Sequence, residues 1–293
     1  MKFTLPAHTP FNFLSVVKSH GWYQLAPFIW DEESNSLDYV LQLANGRVIE
    51  LRLRDAADGI LVETDKLDKV ERKEVADKIN WMFGLDLDFA HFYRAARREP
   101  KLAHIKKRSL GRILRSHTVF EDVLKTILTT NTLWGATKNM TRKLVDRFGA
   151  PLEDQPEKRA FPSPASLAAT SPDVLKEAVR VGYRAPAIHQ LAVRVASGQL
   201  DLESLKTSTL PTLELRKFLM TINGVGPYAA ANLLMILGRH DFIPIDSYAL
   251  KMVSHEWYEG QPITSKEVEQ RFAHWGEFRG LAFWFWDWTY NGG

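Results

Sequence analysis

The sequence predicts an α+β protein in which a small antiparallel sheet comes first and a mostly helical part follows. Near the N-terminus, apolar and polar residues alternate in short segments, as in strands that are buried on one face. From Lys66 onward, apolar residues recur with the period of a helix. The chain has 293 residues, of which 45% are hydrophobic and 25% charged, so it can bury a sizeable core behind a hydrated surface.

The composition excludes several classes of protein. The chain contains no cysteine, which removes disulfides, zinc–thiolate sites, iron–sulfur clusters and thiol nucleophiles. No apolar run reaches the roughly 18 residues that a membrane span needs, and residues 1–12 lack the pattern of a signal peptide. The 38 Lys and Arg nearly balance the 35 Asp and Glu, so the net charge of +3 does not by itself indicate a nucleic-acid partner.

The predicted sheet centres on a hairpin at residues 37–55. Its two arms alternate between apolar and polar residues on either side of Asn45-Gly46, and this dipeptide supplies the positive φ angles of a type I′ turn. Another strand is predicted at residues 59–64. Residues 22–30 predict one more, which a proline interrupts.

Helical patterns fill most of the remaining chain. The predicted helices cover residues 71–83, 88–97, 119–128, 134–148, 164–170, 172–181, 185–197, 213–220, 228–237, 247–257, 265–274 and 281–288. The turn-rich residues 148–162 predict a loop. The basic stretch of Lys106-Lys107-Arg108, Arg112 and Arg115 predicts a solvated face. We therefore expect a sheet subdomain with flanking helices at residues 1–95 and a helical domain at residues 96–293.

The most informative segment is a pair of helices joined by a tight turn, at about residues 213–237. The turn reads Asn223-Gly224-Val225-Gly226, and a proline then stands at the first helical position, where proline is favoured. The glycines let the main chain approach a partner closely, and the N–H groups at the start of the second helix suit a phosphate. A Gly-x-Gly turn alone would equally fit the end of one helix and the start of another.

A single carboxylate follows the second helix. Four apolar residues, at 242–245, lead into Asp246, and Pro244 keeps the residue before it extended. Asp246 also stands immediately before the predicted helix 247–257, where it can serve as an N-cap without any further function. Predicting a catalytic role for Asp246 therefore requires sequence features beyond this residue and its neighbours.

Taken together, these features resemble the signature of the helix–hairpin–helix DNA glycosylase superfamily, in which a hairpin, Gly-Val-Gly and a helix precede a Pro-x-Asp that carries the catalytic aspartate. The resemblance covers nearly the whole chain, in family order. The further segments that resemble the family are Phe120-Glu121 with residues 127–131, residues 161–164 with 167–168, residues 182–192, and residues 275–282. A sheet before the helices is similar to the alkylbase and 8-oxoguanine branches.

The resemblance implies a base excision repair enzyme that flips a damaged base out of DNA and hydrolyses its N-glycosidic bond with Asp246. Bifunctional members carry a lysine where this chain has Tyr228, and a phenol cannot form the Schiff base, so no AP-lyase activity is expected. The lack of cysteine excludes the iron–sulfur branches. What remains looks most like the 3-methyladenine DNA glycosylase II type, with an alkylated purine as the expected lesion.

Several side chains gain an implied role from the same resemblance. Tyr228 and Tyr248 are candidate walls of the base pocket, although either can equally pack in the core. Asn131, Tyr183 and Arg184 match positions that, in 8-oxoguanine glycosylases, fill the gap in the DNA and contact the cytosine left behind. The guanidinium of Arg184 can instead contact a phosphate or form a salt bridge, and Tyr183 can equally be core.

The resemblance further implies contacts with the DNA backbone. Gly224, Val225 and Gly226 are expected to lie against a phosphate, and Arg279, in the segment 275–282, is expected to bind DNA. These contacts would explain how a chain of nearly balanced charge can hold DNA.

A structural Na⁺ or K⁺ is implied at the hairpin, bound by the carbonyl oxygens of Met220, Ile222 and Val225, and no other cofactor is expected. The expected partner is double-stranded DNA with a damaged base, and the expected protein is a monomer in the cytoplasm of a bacterium, associated with the nucleoid and not with a membrane. Two alternatives stay open. One is a monofunctional glycosylase for an oxidised or deaminated base opposite cytosine, and the other is a non-catalytic DNA-binding protein that uses only the hairpin.

Overall fold

The structure is a computed structural model that describes residues 1–290, and in it the chain divides into two compact units. The first unit comprises residues 1–87 and 112–208, and the second comprises residues 88–111 and the chain from 209 onward. The predicted division at residue 95 falls inside the segment 88–111, which belongs with the C-terminal helices. The division of the sequence into domains 1–95 and 96–293 stays a prediction.

The first unit contains a five-stranded antiparallel sheet, which confirms the predicted α+β class. Its strands are β1 (Lys2–Pro6), β2 (Phe28–Asp31), β3 (Ser36–Gln42), β4 (Val48–Ala56) and β5 (Gly59–Glu63), in the sheet order β1-β5-β4-β3-β2. Between β3 and β4, Leu37 lies opposite Leu53 and Leu41 opposite Ile49, and all four side chains are fully buried. The alternating pattern of the sequence therefore places its apolar face in the core.

The turn of the β3–β4 hairpin differs from the predicted type I′ turn. Gly46 adopts a positive φ of 90°, whereas Asn45 does not. The N–H of Gly46 donates to the carbonyl oxygen of Leu43 over 2.9 Å, and the N–H of Leu43 donates to that of Arg47 over 2.8 Å. The loop thus has three residues, with glycine in the left-handed position after a type I turn. The Asn-Gly signal located the hairpin correctly and its turn type wrongly.

Two other predictions near this sheet are wrong in part. Residues 22–30 do not form one strand, because Gly21–Gln24 is a 3₁₀ turn and only the part after Pro27 joins β2. The predicted loop 148–162 contains a short two-stranded hairpin, formed by β6 (Pro151–Leu152) and β7 (Gln155–Arg159). Both segments contain prolines and polar side chains, which weaken the sequence pattern of a strand. Their short strands can therefore be identified only in the folded chain.

Helices make up most of the rest of residues 1–290. The α-helices are α1 (Phe13–Val17), α2 (Lys69–Phe83), α3 (Ala90–Ala96), α4 (Val119–Thr129), α5 (Trp134–Phe148), α6 (Pro164–Ala168), α7 (Pro172–Val179), α8 (Ala185–Ala196), α9 (Thr212–Leu219), α10 (Pro227–Ile236), α11 (Ser247–Trp257), α12 (Ser265–Phe272) and α13 (Arg279–Trp284). Most predicted helices are found within a few residues of these bounds, and the predicted C-terminal helix ends early, at Trp284.

The basic stretch before α4 is a solvated face only in part, because Lys106, Lys107 and Arg108 are exposed whereas Arg112 and Arg115 are buried. Arg112 is 2% exposed and Arg115 is 5% exposed. The guanidinium of Arg112 donates to four carbonyl oxygens, including those of His8 and Gly84 at 2.6 and 2.9 Å. For these two arginines the prediction fails because charge in a sequence cannot show that the backbone will supply acceptors for a buried guanidinium.

Helix α4 is the central helix of the first unit, with ten consecutive residues buried from Val119 to Leu128. The sequence resemblance placed Phe120-Glu121 in a segment that reaches the DNA, yet both side chains are buried. What reaches the surface is the turn after α4, where Asn131 is exposed. The helix therefore serves as a rigid support for that turn.

In the second unit, the tryptophans near the C-terminus form a packed aromatic cluster. Trp286 and Trp288 lie 5.3 and 5.8 Å, ring centroid to ring centroid, from Trp257. Phe272 and Phe283 complete the cluster, 5.6 Å apart and nearly perpendicular. Edge-to-face packing of this kind stabilises a core, so these rings serve the fold of the C-terminal unit.

No helix within residues 1–290 is long and apolar enough to cross a membrane.

Candidate functional site

The second unit contains the predicted helix–hairpin–helix. Helix α9 ends at Leu219, and α10 begins at Pro227 after Gly226, which caps α10 without a side chain. Gly224 has a φ of 86°, a conformation that glycine adopts without strain. Gly224 is therefore needed for the sharpness of this turn, and Gly226 leaves the first N–H groups of α10 without a capping side chain.

The three carbonyl groups predicted to bind a monovalent cation all belong to this turn. Met220 directly follows α9, and Ile222 and Val225 are buried within the turn. The carbonyl oxygen of Ile222 accepts a hydrogen bond from the N–H of Val225, at 3.0 Å, and keeps a second lone pair. Carbonyl oxygens at a turn are a donor set that suits a hard cation.

Asp246 is the N-cap of α11. Its Oδ1 accepts a hydrogen bond from the N–H of Ala249, at 2.8 Å, and its backbone is extended. Within residues 1–290 this is the single hydrogen bond that the carboxylate accepts, and the residue is exposed. The capping role and a chemical role are compatible, because one oxygen holds the helix and Oδ2 remains available.

The two predicted pocket tyrosines occupy the first turns of the helices on either side of this segment. Tyr228 is the second residue of α10 and is half-buried. Tyr248 is the second residue of α11 and is 52% exposed, so it is not a core residue in the protein without DNA. An exposed ring at a helix start is a surface on which a base can stack.

Two further basic side chains of this unit have defined contacts. Arg279 begins α13 and is half-buried, and its Nε donates to the carbonyl oxygen of Gly276 at 3.1 Å. Lys251 is exposed one turn into α11, with its Nζ 5.2 Å from the ring centroid of Tyr290. Lys251 therefore has the surroundings of an ordinary surface lysine.

In the first unit, the structure brings together the three residues predicted to contact the DNA gap. The Nδ2 of Asn131 donates to the hydroxyl oxygen of Tyr183 at 3.3 Å. The guanidinium of Arg184 lies 4.6 Å from the ring centroid of Tyr183, and that ring is 66% exposed. The hydrogen bond from Asn131 lowers the pKa of the Tyr183 hydroxyl.

Arg184 differs from its two neighbours because it is 7% exposed. Its Nη2 donates to the carbonyl oxygens of Thr130 and Asn131, and its Nη1 donates to that of Val181 at 3.3 Å. Within residues 1–290 the side chain forms no salt bridge, which was one alternative considered from the sequence, and the other, a phosphate contact, stays a prediction. A direct contact with cytosine stays a prediction.

Sequence reasoning missed one residue of this surface. Leu133, which precedes α5, is 82% exposed, more than any other large hydrophobic side chain of residues 1–290. An apolar residue directly before a helix that has no capping side chain was the signal that could have found it. Leu133 and Asn131 therefore belong to the same exposed turn.

Comparison with known proteins places these features in a family. Residues 124–277, more than half of the chain, match the HhH-GPD superfamily base excision DNA repair protein family. A DNA-3-methyladenine glycosylase of Bacillus subtilis (strain 168) is 25% identical over 234 residues, covering 77% of this chain and 76% of that protein. A DNA-3-methyladenine glycosylase 2 of Escherichia coli (strain K12) is 27% identical over 172 residues, 57% of each chain.

Solved structures agree with this placement. The structure of MBOgg1 in complex with a low-affinity DNA ligand is 26% identical, with a TM-score of 0.76 over 97% of this chain and 92% of that one. The 3-methyladenine DNA glycosylase of Archaeoglobus fulgidus has the same fold, with 22% identity and a TM-score of 0.73 over 97% of both chains. Because the family match includes the whole hairpin and Asp246, the chain belongs to the HhH-GPD superfamily of base excision DNA repair proteins.

Proposed function

We propose that this protein is a monofunctional DNA glycosylase that hydrolyses the N-glycosidic bond of an alkylated purine in double-stranded DNA. The observation that carries the proposal is Asp246, whose Oδ1 is bound to the N–H of Ala249 while Oδ2 remains available. This carboxylate follows the Gly-Val-Gly hairpin within the part of the chain that matches the family. The names of the two relatives from Bacillus subtilis and Escherichia coli support 3-methyladenine as a substrate.

The chemistry requires one carboxylate. As the bond to the base breaks, the sugar acquires positive charge at C1′, as in glycoside hydrolysis. A carboxylate held beside C1′ stabilises this charge and can orient or deprotonate the attacking water. We assign both roles to Asp246. Its exposure in the protein without DNA fits a substrate that must arrive from outside.

DNA would be held through the hairpin. Gly224 and Gly226 carry no side chain that would keep a phosphate away, and the N–H groups at the start of α10 can donate to it. A Na⁺ or K⁺ at the carbonyl oxygens of Met220, Ile222 and Val225 would add positive charge where the phosphate binds. This arrangement requires little net charge on the protein, which matches the +3 of the chain.

The preference for an alkylated purine rests on aromatic side chains. A base inside a duplex must be flipped out before Asp246 can act. Tyr248, at the start of α11, presents an exposed ring, and Tyr228 lies at the start of α10. A purine alkylated at a ring nitrogen such as N3 or N7 is cationic, and the face of an aromatic ring attracts a cation. We propose that these two tyrosines form walls of the pocket.

We expect no AP-lyase activity because of Tyr228. Where bifunctional members carry a lysine, this chain has Tyr228, which has no amine to attack the sugar. Lys251, the nearest lysine after Asp246, is exposed beside Tyr290. We therefore expect base release without strand cleavage.

A second candidate function has its own support. The contacts among Asn131, Tyr183 and Arg184 bring together the three residues that the family resemblance assigns to the base opposite the lesion. These observations favour a glycosylase for an oxidised or deaminated base opposite cytosine. In that case the pocket would select neutral bases by hydrogen bonds instead of selecting cations by stacking.

The experiment that separates these functions is a panel of duplexes, each with one methylated purine, hypoxanthine, uracil or 8-oxoguanine. Base release is measured as strand breaks after alkali, for wild type and for Asp246→Asn. Asparagine keeps the Oδ1 that caps α11, so the variant should fold, and we expect a loss of at least about 100-fold in rate. Asp68→Asn is the matched control, because Asp68 caps α2 in the same way.

The outcomes are distinct. Release of methylated purines alone supports the first proposal, and release of 8-oxoguanine or a deaminated base opposite cytosine supports the second. If no lesion is released, and binding to DNA is the same for wild type and Asp246→Asn, the protein is a non-catalytic DNA-binding member of the family. Strand breaks without alkali would contradict the monofunctional proposal.

A further inference from the structure

The first unit contains a pocket that the proposed chemistry does not use. It is lined by residues of β2, α5 and β7 and their neighbours, all in the first unit, whereas Asp246 belongs to the second. Its volume is about 510 Å³, and ligand sites in proteins typically have roughly 300–1,000 Å³. This cavity, which we call the α5 pocket, is therefore large enough to hold a ligand.

The α5 pocket has an apolar floor. Pro27, Phe28, Val40 and Val145 line it and are buried, so they form its base. Ile29 also lines it, but this residue is 49% exposed. An occupant with a large apolar group would take this surface out of contact with water, which is favourable.

Charged side chains surround this floor. They are contributed by two elements, α5 and β7. The charged residues that line the pocket are Lys138, Arg142, Asp146, Glu157, Lys158 and Arg159. Cations outnumber anions in this set, so the lining favours an occupant with negative charge.

Two of these cations are already paired. The Nη1 of Arg142 lies 2.9 Å from Oδ2 of Asp146, one turn further along α5, and both side chains are exposed. An exposed pair of this kind contributes little stability, so Arg142 can turn to another anion at little cost. The Nζ of Lys158 lies 2.7 Å from Oε1 of Glu50, which ties β7 to β4 of the sheet. Lys158 therefore holds the wall of the pocket in place.

The other two cations carry charge that no acidic side chain balances. Within the described part of the chain, neither Lys138 nor Arg159 forms an ion pair. Lys138 is exposed on α5, and the Nη1 of Arg159 on β7 donates to the carbonyl oxygen of Gly149 at 2.9 Å. A neutral carbonyl satisfies a donor but leaves the positive charge. An occupant with a carboxylate on each side of its apolar group would meet one of these cations on each element.

A glycine keeps one part of the pocket open. Gly135, the second residue of α5, lines it, and a Cβ added there would meet no atom within 4 Å. Lack of space therefore does not require glycine at this position, although glycine weakens a helix relative to alanine. The missing side chain instead leaves room in the pocket for an occupant.

The pocket adjoins a strand with an open edge. β2 is the last strand in the sheet order β1-β5-β4-β3-β2, and in residues 1–290 it pairs with β3 and with no other strand. The outer edge of such a strand presents main-chain groups with which an extended chain can pair. The occupant that suits both the edge and the pocket is therefore a polypeptide in extended conformation.

We propose that the α5 pocket binds an extended segment of a partner protein, in which one large apolar side chain enters the pocket and acidic side chains on either side of it meet Lys138 and Arg159. The segment pairs with the outer edge of β2. The proposal goes beyond the glycosylase reaction, because no residue of the pocket has a role in the proposed chemistry. A partner can thus be recruited without use of Asp246.

The test uses the full chain and fluorescent peptides with the sequence Gly-Ser-Asp-Glu-X-Glu-Asp-Gly-Ser, in which X is Leu, Met, Phe or Trp. Dissociation constants are measured by fluorescence anisotropy at low and at high salt. Three variants change the pocket: Ile29→Glu puts a carboxylate at its floor, Lys138→Glu reverses a charge on its wall, and Gly135→Leu fills its open part.

Matched controls make the same changes elsewhere. Val70→Glu and Lys176→Glu alter exposed residues of α2 and α7, outside the pocket. Peptides with Ala at X, or with Lys in place of all four acidic residues, test the apolar and the acidic part separately. Thermal unfolding shows whether each variant is folded, and Ile29→Gln or Lys138→Gln replaces a glutamate variant that is not.

At least one acidic peptide is expected to bind with a dissociation constant of about 100 μM or tighter at low salt, and high salt should weaken its binding. Each pocket variant should weaken binding by about tenfold or more, and each control by less than about twofold. Ala at X and Lys in place of the acids should each weaken it by about tenfold as well.

Other results would overturn the proposal. It fails if no acidic peptide binds, or if pocket variants and controls lose affinity equally. If phenylacetate binds as tightly as the peptide with Phe at X, the pocket is a site for a small anion and not for a peptide. If an undamaged duplex displaces the peptide, the peptide occupies a DNA-binding surface instead. Since none of these measurements involves base release, a failure of the proposed catalytic function would leave their result intact.

Discussion

The Nζ of Lys125 lies 2.6 Å from Oε1 of Glu121, one turn apart on α4, and neither side chain is accessible to solvent. Glu121 also accepts a hydrogen bond at Oε2 from the hydroxyl of Tyr39, at 2.6 Å. Burial alone would raise the pKa of Glu121, but the Lys125 ammonium and His117 lower it to about 2. The carboxylate is therefore ionised at neutral pH inside the first unit, and the Lys125 ammonium contributes most to keeping it so.

Removing one member of this pair should strongly destabilise the protein. Lys125→Met leaves an unpaired buried carboxylate, and we expect a loss of about 3–5 kcal/mol in the free energy of unfolding, measured with urea. Lys73→Met is the control, because Lys73 pairs with Asp77 at the same spacing on the surface, and it should change stability by less than about 1 kcal/mol. Equal losses for the two variants would contradict the expectation.

The neighbouring carboxylate predicts a dependence of stability on pH. Burial raises the pKa of Asp122 from 3.8 to about 6, although Ser116 and Trp22 donate hydrogen bonds to it. The folded protein thus binds a proton that the unfolded chain has released. The resulting stability is complete below about pH 4 and is lost as the pH rises through 6, by about 3 kcal/mol.

Asp122→Asn should remove this dependence while its amide oxygen keeps the bonds from Ser116 and Trp22. Unfolding by urea between pH 4 and 8 is the measurement. We expect a flatter profile for the variant, with its largest gain over wild type above pH 6. A parallel pair of profiles would show that Asp122 does not titrate in this range.

The two hairpin glycines should respond differently to alanine. Gly224 has a φ of 86°, so Gly224→Ala should cost about 1 kcal/mol in stability. An added Cβ at Gly226, whose φ is −89°, meets no atom within 4 Å, so Gly226→Ala should leave thermal unfolding unchanged. If a phosphate lies against this turn, Gly226→Ala weakens DNA binding nonetheless. Unchanged binding would place the phosphate elsewhere.

Tyr248 should matter for the substrate and not for the fold. Because its ring is 52% exposed, Tyr248→Leu should unfold at the wild-type temperature. Loss of stacking on the flipped base should lower kcat/KM on the cognate lesion by about tenfold or more. Tyr248→Phe keeps the ring and should retain most of the activity. A leucine variant with full activity would remove Tyr248 from the pocket.

The elements that the sequence predicted well are those with local signals. The β3–β4 hairpin follows from Asn-Gly and alternation, and the turn between α9 and α10 follows from its two glycines. The N-cap role of Asp246 was visible for the same reason, because capping involves only the next three residues.

The features that were missed depend on partners far away in the chain. Arg112 is buried by carbonyl oxygens of residues 8–10 and 84–87, and Arg184 by those of residues 130–131. A charge in a sequence predicts exposure unless such acceptors are known. The burial of Arg184 therefore becomes visible only in the folded chain.

In the reaction proposed for Asp246, the bond from the Ala249 N–H to its Oδ1 has a consequence for the rate. A carboxylate on a free side chain would have to stop rotating and reorient each time a sugar approached, and that loss of entropy would add to the barrier. Here the rotation is already lost when α11 forms. In the proposed reaction, the entropic cost of orienting this carboxylate is met during folding and does not recur when the glycosidic bond breaks.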